Sequence, residues 1–235
     1  MSDLAKSPRL YLDQTLSESM GVSIDGPAHH YLKNVMRAQE GDSIRLFNGR
    51  DGEFAVRIEN AGKKTLQLTI EKKTRAQQNP ARSLHLVFTP LKKERMDFLV
   101  EKAVELGATH LHPILTQNCD VRKINEERIH AQIIEATEQC ERMDIAQLLP
   151  VEDLFKTLAT WKKDVPFLAA LERFEAQPLK PVHGDVAVLI GPAGGFTQDE
   201  KEKIAALQFV KPVSLGDRIL RAETAALTAL AVLNA

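Results

Sequence analysis

The residues of this chain best suited to chemistry lie in two glycine-bearing turns near its carboxyl end. The first, Gly191-Pro-Ala-Gly-Gly195, follows the apolar run Val186-Ala-Val-Leu-Ile190. The second, Leu215-Gly216-Asp-Arg-Ile-Leu-Arg-Ala-Glu-Thr224, follows Phe209-Val-Lys-Pro-Val-Ser214. Each reads as a buried strand running into a turn and then a helix. Glycine has no Cβ, so a ligand can come close to main-chain N–H and C=O groups there. Two such turns at the carboxyl edge of one sheet are expected to form a pocket for a flat, polar cofactor. What the turns lack narrows the choice. The first is not Gly-x-Gly-x-x-Gly, which disfavours a dinucleotide-dependent oxidoreductase, and it lacks the Gly-Lys-Ser/Thr ending of an NTPase. His110 and His112 alternate along one strand pattern, but no Cys or carboxylate beside them completes a ligand set, so they read as packing or surface histidines and no metal is expected.

The elements that must hold these turns follow from hydrophobic period. After the polar, patternless stretch 74–83, apolar strand patterns alternate with helical ones. Strand Leu84–Thr89 precedes a helix from about Glu94 to Leu106, and strand Thr109–Leu115 precedes one from about Glu126 to Glu141. A short helix near Leu154–Trp161 leads to strand Val165–Leu171 and then strand Val186–Ile190. Thr197-Gln-Asp-Glu200 is a capping box opening a helix to about Leu207. Strand Val210–Ser214 and a helix from about Ala222 to Leu233 come last. Such alternation predicts an α/β domain with a parallel sheet. Ahead of the linker, Asp42–Phe47, Glu53–Ile58 and Thr65–Ile70 alternate like half-buried strands around turns at Asn48–Gly52 and Asn60–Gly62, so a small barrel or curled sheet is expected. Asp25–Arg37 has helical spacing with a proline at its start. The boundary is therefore placed at the linker, giving domains 1–75 and 76–235.

The bulk numbers exclude several classes. With 43% hydrophobic and 27% charged residues over 235 positions, the composition is that of a soluble globular protein with a sizeable core. No apolar run approaches the roughly 20 residues of a membrane span, and the start lacks a secretory signal pattern. Two distant cysteines, Cys119 and Cys140, read as free thiols and fit a cytoplasmic location. The net charge of −1 hides an asymmetry. Residues 1–95 carry 16 Lys and Arg against 11 Asp and Glu, a balance of +5, and the remainder balances at −6. A polyanion, if bound, is expected at the front.

Leu189-Ile-Gly-Pro-Ala-Gly-Gly195 followed by Ser214-Leu-Gly-Asp-Arg-Ile-Leu-Arg-Ala-Glu-Thr-Ala225 resembles the signature of the small-subunit ribosomal RNA uridine N3-methyltransferases, of the knotted S-adenosylmethionine-dependent class called SPOUT. Arg9-Leu-Tyr-Leu12, the His30–Arg37 helix, Glu101–Thr109 and Glu138-Gln-Cys-Glu-Arg142 are similar to further family segments in the same order, so the resemblance covers nearly the whole chain. It implies a PUA-like RNA-binding β-barrel at 1–75 and a SPOUT methyltransferase domain with a deep trefoil knot at 76–235. Periodicity could not have shown the knot. It also implies a homodimer acting on a uridine of 16S ribosomal RNA, within the small ribosomal subunit, without membrane or metal. The cofactor, S-adenosylmethionine, would lie against Leu171, Leu189, Ile190, Gly191, Pro192, Gly194, Gly195, Ser214, Leu215, Gly216, Ile219, Leu220 and Thr224. Phosphate contacts are expected from Arg9, Arg37, Arg45 and Arg50.

The chemistry fits those residue types. Methylation at uracil N3 requires loss of its proton, which leaves negative charge over the flanking carbonyl oxygens. A fixed guanidinium stabilises such charge, and Arg221, beside the second turn, is the first candidate, with Arg218 and Arg142 further ones. Glu223 is expected to anchor Arg221, the other role open to it being proton acceptor. Lys92-Lys-Glu-Arg95 reads either as a solvated helix entry or as part of the RNA face. Three positions depart from the family pattern: Ala193 stands where a glutamate is usual, Asn118 where an arginine is often found, and Glu141 where glycine is usual. Ala193 motivates a second reading, a non-catalytic RNA-binding protein that keeps the fold.

Overall fold

The computed structural model describes residues 4–235, which divide into two units. The first comprises the chain up to Asn79 together with Thr137–Ile145; the second comprises Pro80–Ala136 and Ala146–Ala235. No helix of the described residues is long and apolar enough to cross a membrane.

In the first unit, strands β1 (Arg9–Tyr11), β2 (Gly21–Ile24), β3 (Ser43–Phe47), β4 (Glu53–Ala61) and β5 (Leu66–Arg75) form one sheet in the order β1-β3-β4-β5-β2. β1 runs parallel to β3 and the other pairs are antiparallel. The three alternating patterns of the sequence became β3, β4 and β5, because Ile44, Leu46, Phe54, Val56, Ile58, Leu66, Leu68 and Ile70 share one buried cluster. Register shifts along β4 and β5 mark bulges, which bend a strand pair and raise its twist. The Asn48–Gly52 turn is fixed by the Asn48 side chain, whose Oδ1 accepts from the amides of Arg50 and Asp51. The helix expected over 25–37 is α1 (Gly26–His30) only at first; Tyr31–Val35 then widens, with the Met36 amide donating to the Tyr31 carbonyl at 3.0 Å, an i to i+5 bond.

The second unit carries β6 (Leu84–Phe88), α2 (Lys93–Glu105), β7 (His110–Leu115), α3 (Glu126–Gln139, its last turn belonging to the first unit), β8 (Gln147–Leu148), β9 (Glu152–Asp153), α4 (Leu154–Thr160), β10 (Phe167–Ala170), β11 (Gln177–Pro178), β12 (Val186–Ile190), α5 (Gln198–Ala205), β13 (Val210–Ser214) and α6 (Ala222–Leu233). The sheet is parallel throughout, in the order β11-β13-β10-β12-β6-β7-β8, with β9 also on β7. All five residues of β12 are buried, as a strand covered on both faces requires. Helices α2 and α6 pack together, α6 lying against β12 and β6. Leu154, Leu158, Phe196 and Ile204 cluster with Phe167, Ala169, Ala187 and Leu189. The connection from β12 to β13 passes over β10, so the carboxyl ends of β10, β12 and β13 lie side by side.

Candidate active site

A cavity of about 330 Å³ opens at those three strand ends. Its floor is Ala170, Leu171, Ile190 and Val213; its sides are Gly191, Pro192, Ala193 and Gly195 of the first turn and the Ser214–Leu220 turn, with Phe196, Ala222 and Ala225 completing it. Of the residues expected to hold a cofactor, Leu171, Ile190, Gly191, Pro192, Gly195, Ser214, Leu215, Gly216, Ile219 and Leu220 line this one space. Leu189 is instead buried in the core, Gly194 packs toward Asn118, and Thr224 is exposed on the first turn of α6. Sequence reasoning missed Glu172, Arg173 and Phe174, which put charge and an aromatic ring at the wall. They follow β10, with no periodic pattern to mark them.

The turns keep their shape for identifiable reasons. A Cβ on Gly191 would stand 2.7 Å from Cε2 of Phe196, so only glycine lets that ring close over the turn. Gly216 has φ +109°, a conformation side chains rarely adopt, and no atom lies within 4 Å of where its Cβ would be. It therefore leaves space beside the main chain. Glu200 ties two loops: one carboxylate oxygen accepts from the Thr197 amide at 2.9 Å, completing the expected capping box, and the other accepts from the Gln117 amide at 2.8 Å. Asn118, next in line, donates from Nδ2 to the Gly195 carbonyl at 3.0 Å. The residue that departs from the family pattern thus braces the first glycine turn.

A second cavity, of about 490 Å³, is walled by Pro90–Arg95, Asp120, Pro192 and Ala193. Pro192 and Ala193 belong to both spaces. Arg221 supplies the N-cap position of α6 and its side chain is exposed. Glu223 does not anchor it. The Glu223 carboxylate faces Arg95, with Oε1 3.6 Å from Nε, because the first turn of α6 directs it toward α2.

The remaining expected residues lie in the first unit. Arg142 pairs with Asp144, and its carbonyl accepts from Arg9. The phosphate role expected of Arg9 gives way to a structural one: its buried guanidinium donates to Glu53 at 2.7 Å and to the Thr137 carbonyl at 2.9 Å. Arg45 is likewise buried, bonded to Glu141 at 2.9 Å. Arg37 and Arg50 are exposed, Arg50 bonded to Asp13.

His110 and His112 are joined by a residue the sequence reading passed over. His85, on β6, stacks on His110 at 4.2 Å, and its Nδ1 lies 2.9 Å from Nε2 of His112. Trp161 meets both His85 and His112 edge-on. Burial, then the neighbouring His110, holds His85 down to about 4, and burial with the other two rings holds His112 down to about 3. Among the described residues no group of His, Cys, Asp and Glu is placed to hold a metal ion.

Comparison with known proteins accords with this geometry. A family described as an RNA methyltransferase domain matches residues 77–234, and one described as an RNA methyltransferase PUA domain matches residues 24–71. The ribosomal RNA small subunit methyltransferase E of Rickettsia conorii is 33% identical, over 96% of this chain and 94% of that protein. A methyltransferase from Legionella pneumophila, solved in complex with the bound cofactor SAM, is 31% identical and superposes with a TM-score of 0.86 over 97% of this chain and 96% of its own. The ribosomal RNA small subunit methyltransferase E from Neisseria gonorrhoeae, solved bound to S-adenosyl methionine, is 28% identical with a TM-score of 0.85, covering 96% and 95%. A glycine-walled cavity at three parallel strand ends, a matching domain across two thirds of the sequence and relatives aligned end to end give one conclusion: the chain belongs to the RNA methyltransferase family.

Proposed function

We propose that this protein transfers a methyl group from S-adenosylmethionine to N3 of a uridine in 16S ribosomal RNA. The observation that carries the reading is the main-chain-walled cavity at the ends of β10, β12 and β13. Its volume is in the range of small-molecule sites. The space beside Gly216 suits a flat heterocycle against backbone amides, and Glu172, Asp217, Arg173 and Arg218 at the wall suit the charges of an amino-acid tail. Bound there, S-adenosylmethionine supplies an electrophilic methyl group on a positively charged sulfur.

The protein's part is then to place and polarise the acceptor. Pro192 and Ala193, common to both cavities, form the threshold across which an acceptor base meets the donor. Alignment there supplies much of the rate. Loss of the N3–H proton would leave negative charge over the flanking carbonyl oxygens, and S-adenosylmethionine held by the first cavity would supply the methyl group that N3 then takes up. Arg221 at the start of α6 is the guanidinium proposed to stabilise that charge, with Arg218 and Arg142 further candidates. Arg37 and Arg50 are the proposed phosphate contacts of the first unit. A trefoil knot in the carboxyl-terminal chain, a homodimer and a cytoplasmic location belong to the same reading.

The test is incubation of the protein with methyl-labelled cofactor and small ribosomal subunits, followed by mapping of the modified nucleotide. A single N3-methyluridine in 16S RNA is the expected result. Cofactor binding without incorporation into any ribosomal RNA would leave the non-catalytic RNA-binding reading that Ala193 motivates.

A further inference from the structure

Glu223 is the least explained charged group near the site. Its residue is 9% exposed, its Oε2 is buried without a hydrogen-bond partner, and its Oε1 faces only the Arg95 guanidinium, at 3.6 Å. A carboxylate taken so far out of water is costly unless it is well paired. Arg95 pairs it poorly, at ion-pair rather than hydrogen-bond distance and with its side chain 45% exposed. Stability does not account for such an arrangement. Position does: the pair holds a half-exposed guanidinium at the wall of the second cavity, across Pro192 and Ala193 from the first.

We infer that Arg95, steered by Glu223, is a further guanidinium, besides Arg221, that contacts the acceptor base in the second cavity. It donates hydrogen bonds to a ring carbonyl next to the methylated nitrogen. The ligand class is a nucleobase imide, whose carbonyl oxygens take up negative charge when the N–H proton leaves; fixed donors aimed at such oxygens are worth most in the transition state. Glu223 is on this view a positioning residue for Arg95, and the second cavity is the acceptor site. The inference rests on the methyltransferase reading given above.

Three full-length variants test it: Arg95→Ala, Arg95→Lys and Glu223→Gln. Each is assayed for S-adenosylmethionine binding by calorimetry and for single-turnover methyl transfer to small ribosomal subunits across a pH series. Cofactor affinity is expected to stay within about twofold for all three, since Arg95 and Glu223 do not line the first cavity. Transfer by Arg95→Ala is expected to fall by about 10²–10³-fold, the usual cost of losing one such donor, with its rate maximum moved to higher pH because the base must ionise unaided. Arg95→Lys and Glu223→Gln should fall less and move the same way. Arg95→Ala methylating at the wild-type rate with an unchanged pH profile would overturn the inference and leave the methyltransferase reading standing. A collapse of cofactor affinity in both Arg95→Lys and Glu223→Gln would overturn it too, placing the pair on the donor side. No incorporation by the wild-type protein would instead remove the methyltransferase reading, and this inference with it.

Discussion

Glu53 sits among three arginines: Arg9 at 2.7 Å, Arg75 at 3.7 Å and Arg45 at 3.9 Å. Burial pushes the Arg9 guanidinium below its usual range, and its hydrogen bond to Glu53 opposes that shift. The guanidinium also lies 3.5 Å from the Phe47 ring centroid. Removing the carboxylate strands buried positive charge, so Glu53→Ala is expected to lower unfolding stability by about 3–5 kcal/mol in urea titration. The sequence could not reveal this cluster, because Arg9 and Glu53 are 44 positions apart and nothing local distinguishes a buried arginine from a phosphate-binding one. Glu141 shows the same limit: its φ of 59° explains why glycine is usual there, while its bond to Arg45 shows what the glutamate adds. Gly191, by contrast, was legible as a position with no room for a Cβ, although the group that comes close to it is the Phe196 ring. Gly191→Ala would force Phe196 from the core, and we expect about 1–3 kcal/mol of destabilisation and cofactor binding weakened about tenfold or more, read by calorimetry.

At the scale of elements, β12, β13 and α6 run as their patterns predicted, at Val186–Ile190, Val210–Ser214 and Ala222–Leu233. β12 is an unbroken apolar run, and α6 is almost wholly Ala, Leu, Val and Thr, so little in either competes with its pattern. Short elements were not legible: β8, β9 and β11 have two residues each, too few for any period to show. The widened turn at Tyr31–Val35 was equally hidden, since its spacing satisfies an ordinary helix. The histidine face of β6 and β7 has a pH consequence that needs both strands at once. His85 and His112 are held near 4 and 3, below an unfolded value of 6.5, so the unfolded chain takes up their protons first as the medium acidifies. The groups facing them are His110, Lys162, Asp185 and Glu152. Their contribution is complete above pH 6.5 and declines as pH falls toward 4 and then 3. The urea midpoint is expected to drop over that window, and His112→Asn to flatten the drop.

Over the whole molecule, the order of elements told the α/β class, because alternation of strand and helix admits few topologies. Which strands neighbour one another was not readable; the hop from β12 over β10 to β13 is a long-range choice, and it is this hop that gathers the first cavity. The charge imbalance between front and back predicts a salt signature. Binding to small-subunit RNA is expected to weaken as salt rises, and Arg37→Ala or Arg50→Ala to reduce the slope of log K against log salt by about 1 each, measured by filter binding at a series of ionic strengths.

Thr137–Ile145 lends the first unit the carbonyls of Thr137 and Arg142 that receive Arg9, and the Glu138 carboxylate that receives the Tyr11 amide at 2.7 Å. A gene fragment ending at the linker would thus encode a module missing part of its own wall. Anyone exchanging amino-terminal halves between relatives has to graft this distant nine-residue piece along with them, and lineages that shuffled such halves would have had to inherit both pieces together.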